Sequence, residues 1–279
     1  MEDLEKQKLQ AKIKEEEYLF NYAGDDRMIP STELKLEVDA RPTNGFKLTT
    51  QFSAINSAFD GFKLGNLIVV SGHTGHGKTE FCIDLAQHFT KDGNKVAWFN
   101  FETTQAEIFK RFEQKCNELP VFYLPRENKS SFKWFKIKIR ESILKYDPKV
   151  VFIDNLRGLT EMPDLDDGNL SKNYSVYVGA VVQKIARMAI ENNVIIFLLL
   201  DPNKAEETEV LSLRDVGRDS SLITSIPDAV ITIWQECKKH KEGLDYSGNV
   251  WLNILKNRAY GQKGKIKLKF ENYKYYEAM

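Results

Sequence analysis

The fold is decided by residues 67–79, which read LIVVSGHTGHGKT. Residues 67–71 have the composition of a buried strand, and Gly72–Thr79 then fits the pattern G-x-x-x-x-G-K-[ST]. The glycines let backbone N–H groups turn inward, and the helix that follows adds the positive end of its dipole. The stretch therefore predicts a loop that binds phosphate groups between a strand and a helix.

The loop predicts ATP and Mg²⁺ as cofactors. Lys78 can reach the β- and γ-phosphates, and the Thr79 hydroxyl can bind the metal. The alternative, a chance glycine-rich turn, does not account for the matching flanks. His73 and His76 lack metal-ligand partners and are interpreted as loop filling. The residues predicted to bind the nucleotide are Gly72, Thr74, Gly75, Gly77, Lys78 and Thr79.

Strand and helix patterns alternate away from this loop, which predicts an α/β fold with a mostly parallel sheet and helices on both faces. The predicted strands are Leu67–Ser71, Val96–Phe101, Val121–Leu124, Val150–Ile153, Val194–Leu200 and Ala229–Trp234. The predicted helices between them are Lys78–Thr90, Gln105–Glu118, Phe132–Leu144 and Tyr174–Asn192. A C-terminal antiparallel hairpin and a last strand are predicted at Val250–Leu255, Lys265–Phe270 and Tyr273–Tyr276.

The N-terminal part of the chain has a different composition. Residues 1–20 predict a charged helix with only Leu9, Ile13 and Phe20 near one face. Residues 21–50 predict a linker, and we expect a helix-and-linker segment at 1–45 and a globular domain at 46–279. The helix is either solvated and frayed or docks in a groove on a neighbouring subunit.

Composition excludes several classes of protein. The chain of 279 residues has 40 Lys+Arg and 40 Asp+Glu, so it is not a globally basic nucleic-acid binder. Its longest apolar run, 194–200, is too short to span a membrane. Three widely spaced cysteines, Cys82, Cys116 and Cys237, predict thiols in a reducing interior rather than disulfides or a zinc site. We expect no membrane partner and a cytoplasmic location.

Two carboxylates are predicted to lie at the edge of the sheet where ligands bind. Asp154 ends the apolar run 150–153 and is predicted to assist Mg²⁺, although it could instead cap a turn. Glu102 follows the strand 96–101 and is the candidate to orient a water for hydrolysis. The alternative for Glu102 is a solvated residue at a helix entry, with Thr103 or Thr104 as the N-cap.

Over roughly residues 45–276 the chain resembles the C-terminal motor domain of DnaB-type replicative helicases, a branch of the RecA-like ATPases, and it is also similar to Twinkle-type helicases. Of the matching stretches, only the phosphate loop is specific by itself. All six together, in the same order along the chain, make the resemblance more specific. Those stretches are Asp60–Leu67, Gly72–Thr79, Asn100–Arg111, Val151–Leu156, Leu213–Gly217 and Leu255–Arg258.

The resemblance implies an ATP hydrolase that acts as a helicase on single-stranded DNA in replication, as a homohexameric ring with nucleotide at subunit interfaces. It makes Glu102 the catalytic base. It also implies that Lys256 and Arg258 act in trans on the neighbour's γ-phosphate. Without the resemblance, these two residues would indicate only a basic hairpin on a solvated face. A phage, plasmid or organellar replication system is also compatible with the family.

A loop at Pro202–Ser221 carries the predicted DNA contacts. Arg214, Asp215 and Gly217 match the DNA-binding loop of the family, and Lys204 adds a cation near the phosphates. The segment 256–279 has seven Lys or Arg and two Glu, so its net charge is +5. That charge fits either DNA or a subunit interface.

One departure from the family concerns Asp201. The family has Gln or His at the end of this strand to sense the γ-phosphate, and a carboxylate would repel that phosphate. Asn203 or Lys204 could take the sensing role instead. The short N-terminal part predicts either a minimal motor or one that depends on a primase or loader partner. The rival functions are a RecA-like scaffold, loader or recombination mediator that does not unwind DNA, and a small-molecule kinase.

Overall fold

The structure is a computed structural model. It describes residues 2–41, 45–116, 118–129, 131–160, 174–202, 208–217, 220–240 and 243–278. The chain divides into two compact units, Met1–Gly45 and Phe46–Met279. The assignment of these units as separate domains stays a prediction.

Ten helices and eight strands form within the described residues. The helices are α1 (Glu2–Phe20), α2 (Ser31–Asp39), α3 (Ser53–Phe59), α4 (Lys78–Lys91), α5 (Gln105–Glu113), α6 (Phe132–Tyr146), α7 (Leu156–Thr160), α8 (Tyr174–Glu191), α9 (Leu213–Val216) and α10 (Leu222–Ser225). The strands are β1 (Leu67–Ser71), β2 (Val96–Asn100), β3 (Val150–Asp154), β4 (Ile195–Leu200), β5 (Ala229–His240), β6 (Gly243–Asn257), β7 (Gly264–Glu271) and β8 (Lys274–Glu277).

The eight strands form one sheet in the order β2-β3-β4-β1-β5-β6-β7-β8. The first five positions are parallel, and β6, β7 and β8 continue the sheet in antiparallel pairings. Because parallel strands end at one edge, the residues that follow β1, β2, β3 and β4 are brought together there. The predicted α/β class, with its mostly parallel sheet and C-terminal antiparallel hairpin, is confirmed.

Each face of the sheet is covered by a separate hydrophobic cluster. Along β1, Ile68 and Val70 point into one cluster, whereas Leu67 and Val69 point into the other. The first cluster includes the apolar side of α4, and the second includes that of α8. Strands buried on both faces explain why the sequence shows continuous apolar runs rather than alternation.

Some sequence predictions were wrong in detail. The strand predicted at 121–124 is only an isolated bridge between Tyr123 and Ala97. The predicted linker at 21–50 contains α2, which starts directly after Pro30. Proline is compatible with a helix start because the first N–H groups of a helix have no intrahelical partner. The short helix α3 was also missed, because its seven residues are too few to show a period.

Within the N-terminal unit, α1 confirms the predicted charged helix. Its residues from 4 to 20 are exposed, and Lys12 and Glu16 form an ion pair of 3.8 Å on its surface. Exposed pairs of this kind contribute about 0.3–0.5 kcal/mol. The two interpretations of this helix, solvated or docked on a neighbouring copy, both stay open. Over the described residues, no helix combines the length and the apolarity needed to cross a bilayer.

Candidate nucleotide-binding site

The loop between β1 and α4 has the geometry that its sequence predicts. Gly75 and Gly77 adopt φ values of 83° and 90°, a left-handed conformation that favours glycine. A Cβ on Gly72 would lie 2.5 Å from the carbonyl oxygen of Ile233, so only glycine fits against that strand. Among the described residues, no side chain caps the first turn of α4. The N–H groups of that turn are therefore open to a phosphate.

Lys78 is buried and folded back over the loop. Its Nζ donates to the carbonyl oxygens of Gly72 at 2.8 Å and His73 at 3.2 Å. The same atom lies 2.7 Å from Oδ1 of Asp201, the first residue after β4. The lysine predicted to bind phosphate therefore has a carboxylate partner from its own chain.

Thr79 and Asp154 meet at the ends of α4 and β3. The Thr79 hydroxyl donates to Oδ2 of Asp154 at 3.0 Å, and Oδ1 of Asp154 has no hydrogen-bond partner among the described residues. Burial, followed by the charge of Glu102, raises the pKa of Asp154 to about 7. A cation held here would favour the ionised form and would use the second oxygen.

The oxygens of Thr79 and Asp154 fit Mg²⁺, which takes one or two protein oxygens together with water and phosphate oxygens. The parts of the chain that the structure describes hold no cluster of three or more His, Cys, Asp and Glu side chains that could bind a metal alone. The two residues therefore suit a metal that arrives with a phosphate, as the sequence predicted for them.

Glu102 lies in the turn between β2 and α5. The side chain of Asn100 shapes this turn, because its Oδ1 accepts from the backbone N–H of Glu102 at 3.2 Å and of Thr103 at 3.1 Å. Thr104 is the N-cap of α5 and accepts from the N–H of Glu107 at 3.2 Å. The helix-entry alternative is thus correct about a threonine cap, but Glu102 also lines the cleft beside the phosphate loop.

The cleft has a volume of about 830 Å³. The phosphate loop forms one wall, α5 forms a second, and the end of the C-terminal hairpin forms a third. The residues that line it include Lys78, predicted to bind phosphate, and Thr79, predicted to bind the metal. The lining residues are Thr74, Gly75, Gly77, Lys78, Thr79, Glu80, Glu102, Ala106, Glu107, Lys110, Arg111, Gln114, Phe270 and Tyr273.

Sequence reasoning missed two residues of the site. Asn155 is buried, and its Nδ2 donates to Glu102 at 2.9 Å and to Asp201 at 3.2 Å. Its position directly after Asp154 was the only signal available. Tyr275 donates its hydroxyl to the carbonyl oxygen of Gly77 at 3.1 Å. No sequence signal connects these two residues, which lie 198 positions apart.

The two loop histidines pack within the fold, as their interpretation as loop filling implies. Nε2 of His73 lies 3.1 Å from the carbonyl oxygen of Glu209. His76 is buried, and its Nδ1 accepts from the N–H of Gln235 at 3.1 Å. Burial, followed by the charges of His73 and Lys78, lowers the pKa of His76 to about 4.

Lys256 and Arg258 lie at the end of β6 and bind backbone carbonyls of their own chain. Nζ of Lys256 donates to Thr224 at 2.9 Å and to Ser225 at 2.6 Å. Arg258 donates to the carbonyl of Ser225 at 2.9 Å and lies 3.2 Å from Oδ1 of Asp228. Burial, followed by the charge of Arg258, lowers the pKa of Lys256.

Arg258 is at the opposite end of the sheet from the phosphate loop. Its N–H donates to the carbonyl of Asp228 at 2.8 Å, and the Asp228 carboxylate accepts from the N–H of Leu67, the first residue of β1. The phosphate loop leaves the other end of β1, five residues further on. At about 3.3 Å per residue the two ends are roughly 13–17 Å apart. Arg258 therefore does not contribute to the cleft of its own chain.

Three of the predicted DNA contacts lie in or beside the short helix α9. Arg214 is exposed, and Gly217 sits so close to Thr224 that a Cβ would lie 2.9 Å from its hydroxyl. Asp215 accepts from the backbone and side chain of Ser212 in a capping box, which lowers its pKa. The fourth, Lys204, lies outside the described residues, as does Asn203.

Comparisons with known proteins find a similarity to one family over part of the chain. Residues 47–121 match the model of the DnaB-like helicase C-terminal domain. The replicative DNA helicase DnaB of a Nostoc species is 27% identical over 110 residues, which are 39% of this chain and 12% of that protein. The chain thus matches only a small part of its relative's length.

Two solved structures share the fold. One, described as an ATPase domain, has a TM-score of 0.68 at 16% identity, over 89% of this chain and 97% of that one. A DnaB-like replicative helicase, described with its interactions with primase, has a TM-score of 0.67 at 17% identity. The match covers 90% of this chain and 68% of the helicase chain. Members of this helicase family typically bind ATP. Residues 47–121 are therefore similar to the DnaB-like helicase C-terminal domain, and the chain shares the fold of these two structures.

Proposed function

We propose that the protein is an ATP-driven helicase or translocase on single-stranded DNA that works as a homohexameric ring. The observation that carries the proposal is that Lys78, Thr79 and Glu102 line one cleft, with the buried Asp154 hydrogen-bonded to Thr79 directly behind it. These are the groups that phosphate binding, metal binding and water activation require. The family match and the RecA-like fold support the same conclusion.

Lys78 and the N–H groups of the phosphate loop would bind the phosphates of ATP. Thr79 and Asp154 would hold Mg²⁺, which supplies charge neutralisation at the phosphate oxygens. The glycines in the loop leave the space in which its backbone can approach a phosphate closely.

Glu102 would orient the attacking water and accept its proton. It reaches into the cleft from the turn that Asn100 holds, and its carboxylate accepts a hydrogen bond from Asn155. Asn155 thus restricts where the carboxylate can point. A fixed carboxylate loses less entropy when it aligns a water.

Lys256 and Arg258 would complete the site of an adjacent subunit. The position of Arg258 at the far end of β1 supports a role in trans, because its own cleft is out of reach. A guanidinium supplied by a neighbour stabilises charge in the transition state and makes hydrolysis depend on assembly.

Arg214, Lys204 and Gly217 would contact the phosphates of the DNA strand. Asp215 would support this loop by capping α9. Binding by a ring would be stronger than binding by one subunit, because several weak contacts act together. We also infer that the protein acts in the compartment where replication occurs and that a primase or a loader protein is a further partner.

The test combines two activities and one assembly measurement. We expect the wild type to hydrolyse ATP and unwind a forked duplex, and Lys78→Ala to do neither. Light scattering should give a hexamer that forms or tightens with nucleotide and single-stranded DNA. Equal hydrolysis and unwinding by both proteins would refute the proposal.

Mixing two inactive variants tests the action in trans. Lys78→Ala lacks a functional cleft but keeps Arg258, whereas Arg258→Ala keeps the cleft. In a mixed ring some interfaces combine an intact cleft with an intact arginine, so hydrolysis should reappear. A mixture that stays inactive, or a strict monomer that is fully active, would remove the roles assigned to Lys256 and Arg258.

A second candidate is a RecA-like DNA-binding ATPase that acts as a loader, recombination mediator or scaffold without unwinding. The ion pair between Asp201 and Lys78 favours it, because a carboxylate beside the phosphate site opposes efficient cycling. Hydrolysis and DNA binding without unwinding of any fork would support this candidate over the first.

A further inference from the structure

All three protons of the Lys78 ammonium group are already used. An ammonium has three donors and no acceptor. Nζ contacts the carbonyls of Gly72 and His73 and one carboxylate oxygen of Asp201, at 2.8, 3.2 and 2.7 Å. A phosphate can bind this lysine only if one of these partners gives way.

The three partners differ in charge and in exposure. Gly72 and His73 offer neutral carbonyls, and that of His73 is the more distant. Asp201 offers a full negative charge, and its side chain is 29% exposed whereas that of Lys78 is 7% exposed. Charge-assisted contacts are the stronger ones, so the first phosphate contact should replace the carbonyl of His73 rather than Asp201.

The other oxygen of Asp201 connects it to the proposed base. Nδ2 of Asn155 donates to Oδ2 of Asp201 at 3.2 Å and to Oε2 of Glu102 at 2.9 Å. The amide is fixed in this orientation because its own oxygen accepts from the N–H of Gly158 at 3.1 Å. One buried amide thus joins the carboxylate on Lys78 to the carboxylate proposed to hold water.

We propose that Asp201 distinguishes nucleoside triphosphates from diphosphates by being displaced from Lys78. The proposal rests on the proposed function, since it assumes that ATP binds in this cleft. A diphosphate can share Lys78 with Asp201 by taking the place of a loop carbonyl. A third phosphate brings further negative charge to the same ammonium, and Asp201 must then leave because like charges repel.

The displacement does not release Glu102. Nδ2 of Asn155 carries two protons and donates one to each carboxylate. When Asp201 leaves, the hydrogen bond to Glu102 remains, so Asn155 still positions the base while a triphosphate is in the cleft. Asp201 is therefore a specificity residue, and Asn155 is a positioning residue that acts through Glu102.

Binding isotherms of the full chain test the proposal. The ligands are a non-hydrolysable ATP analogue with Mg²⁺ and ADP with Mg²⁺. Asp201→Asn removes the repulsion, so we expect the analogue to bind about tenfold more tightly than to wild type. ADP should change by less than about threefold, because it leaves the ion pair in place.

Asp147→Asn is the matched control. It removes a carboxylate that pairs with Lys149 at the C-terminus of α6, where the residue has a φ of 50° that asparagine also tolerates. Both affinities should stay at the wild-type values. Asp201→Ser serves as a second neutral variant if Asp201→Asn does not fold, and the same shift in preference is expected of it.

Asn155→Ala tests the positioning role of Asn155 separately from the specificity role of Asp201. It should lower the rate of hydrolysis at saturating ATP while the affinity for the analogue changes by less than about threefold. A change in affinity without a change in rate would contradict its role as a positioning residue.

The outcomes distinguish the two levels of the proposal. If wild type binds the analogue and both neutral variants keep its preference between analogue and ADP, Asp201 is not the discriminating residue. If wild type binds neither nucleotide, the proposed function itself fails, and the inference fails with it. If the neutral variants bind the analogue more tightly and bind ADP as wild type does, the proposed function and the role of Asp201 are both supported.

Discussion

Lys78 and Lys115 are both buried lysines that pair with carboxylates beside α4, but their surroundings differ. Lys78 has two carbonyls and the carboxylate of Asp201, and it borders the open cleft. Lys115 has no exposed side-chain area and lies 2.9 Å from Asp84 and 3.2 Å from Glu80. It also donates to the carbonyl of Tyr273.

Lys115 belongs to a closed network that fixes the C-terminal strand to α4. Its Nζ lies 5.7 Å from the ring centre of Phe270 and 5.6 Å from that of Tyr275. Asp84 also accepts from the N–H of Tyr275 at 2.8 Å. Burial raises the pKa of Asp84 more than its contact with Lys115 lowers it. Asp84 and Tyr275 belong to the packed interior, whereas Glu80 reaches the edge of the cleft.

The difference shows how a binding lysine differs from a structural one. Two carboxylates, a carbonyl and two rings surround Lys115, and its removal leaves the buried carboxylate of Asp84 without its cation. Within the described residues Lys78 has one carboxylate partner, which is itself partly exposed and can be hydrated. We therefore expect Lys115 and its partners to contribute to the stability of the fold, and Lys78 and its partners to contribute to nucleotide binding.

Removing the Lys115 ammonium should destabilise the fold more than any other change considered for these two lysines. Lys115→Met should lower the free energy of unfolding by about 3–5 kcal/mol, the usual result of removing one partner of a buried ion pair. Denaturant titration measures it, and Lys91→Met, which changes an exposed residue on α4, is the control. A loss below about 1 kcal/mol would contradict a structural role for Lys115, because Lys115 would then behave as a surface residue.

Lowering the pH should reduce the stability of the fold through His76, which lies in the phosphate loop beside Lys78. The unfolded chain takes up a proton near pH 6.5, whereas the folded chain does so only near pH 4, so stability is lost as pH falls through that window. The shift corresponds to a loss on the order of 3 kcal/mol at pH 4. His76→Gln should lose less stability between pH 6.5 and 4 than wild type or His88→Gln. Parallel curves for all three proteins would contradict the assignment.

Lys78→Ala tests whether Lys78 acts in nucleotide binding rather than in stability. We expect the affinity for Mg²⁺ and ATP to fall about 100-fold, equivalent to about 2.7 kcal/mol, while the free energy of unfolding without nucleotide changes by less than about 1 kcal/mol. Calorimetric titration and denaturant titration give the two numbers. A loss of stability as large as that of Lys115→Met would show that the two lysines do not differ in role.

Tyr275 connects the C-terminal strand to the phosphate loop, and a weaker effect is expected there. Tyr275→Phe removes the hydrogen bond to the carbonyl of Gly77 and should cost about 1 kcal/mol of stability. Nucleotide affinity should fall only slightly, since the loop keeps its glycines. Tyr276→Phe changes the exposed neighbour and should have no effect in thermal or denaturant unfolding. Equal effects in the two variants would exclude a role for the Gly77 contact.

Local sequence was sufficient for the parts of the site that are built from adjacent residues. The strand, loop and helix at 67–91, the strand that ends at Asp154, and the turn that carries Glu102 were all predicted. In each case a short apolar run is followed by a polar residue within the same few positions. The strand predicted at 121–124 was wrong because four apolar residues do not by themselves establish pairing partners.

Neighbours along the chain are enough to predict the α/β class, the phosphate loop and the residue types that can bind a phosphate and a metal. The folded chain is needed to see that Asp201 lies on Lys78, that Tyr275 reaches Gly77 and that Arg258 lies at the far end of β1. Such contacts depend on the order of the strands in the sheet, which local periodicity does not encode.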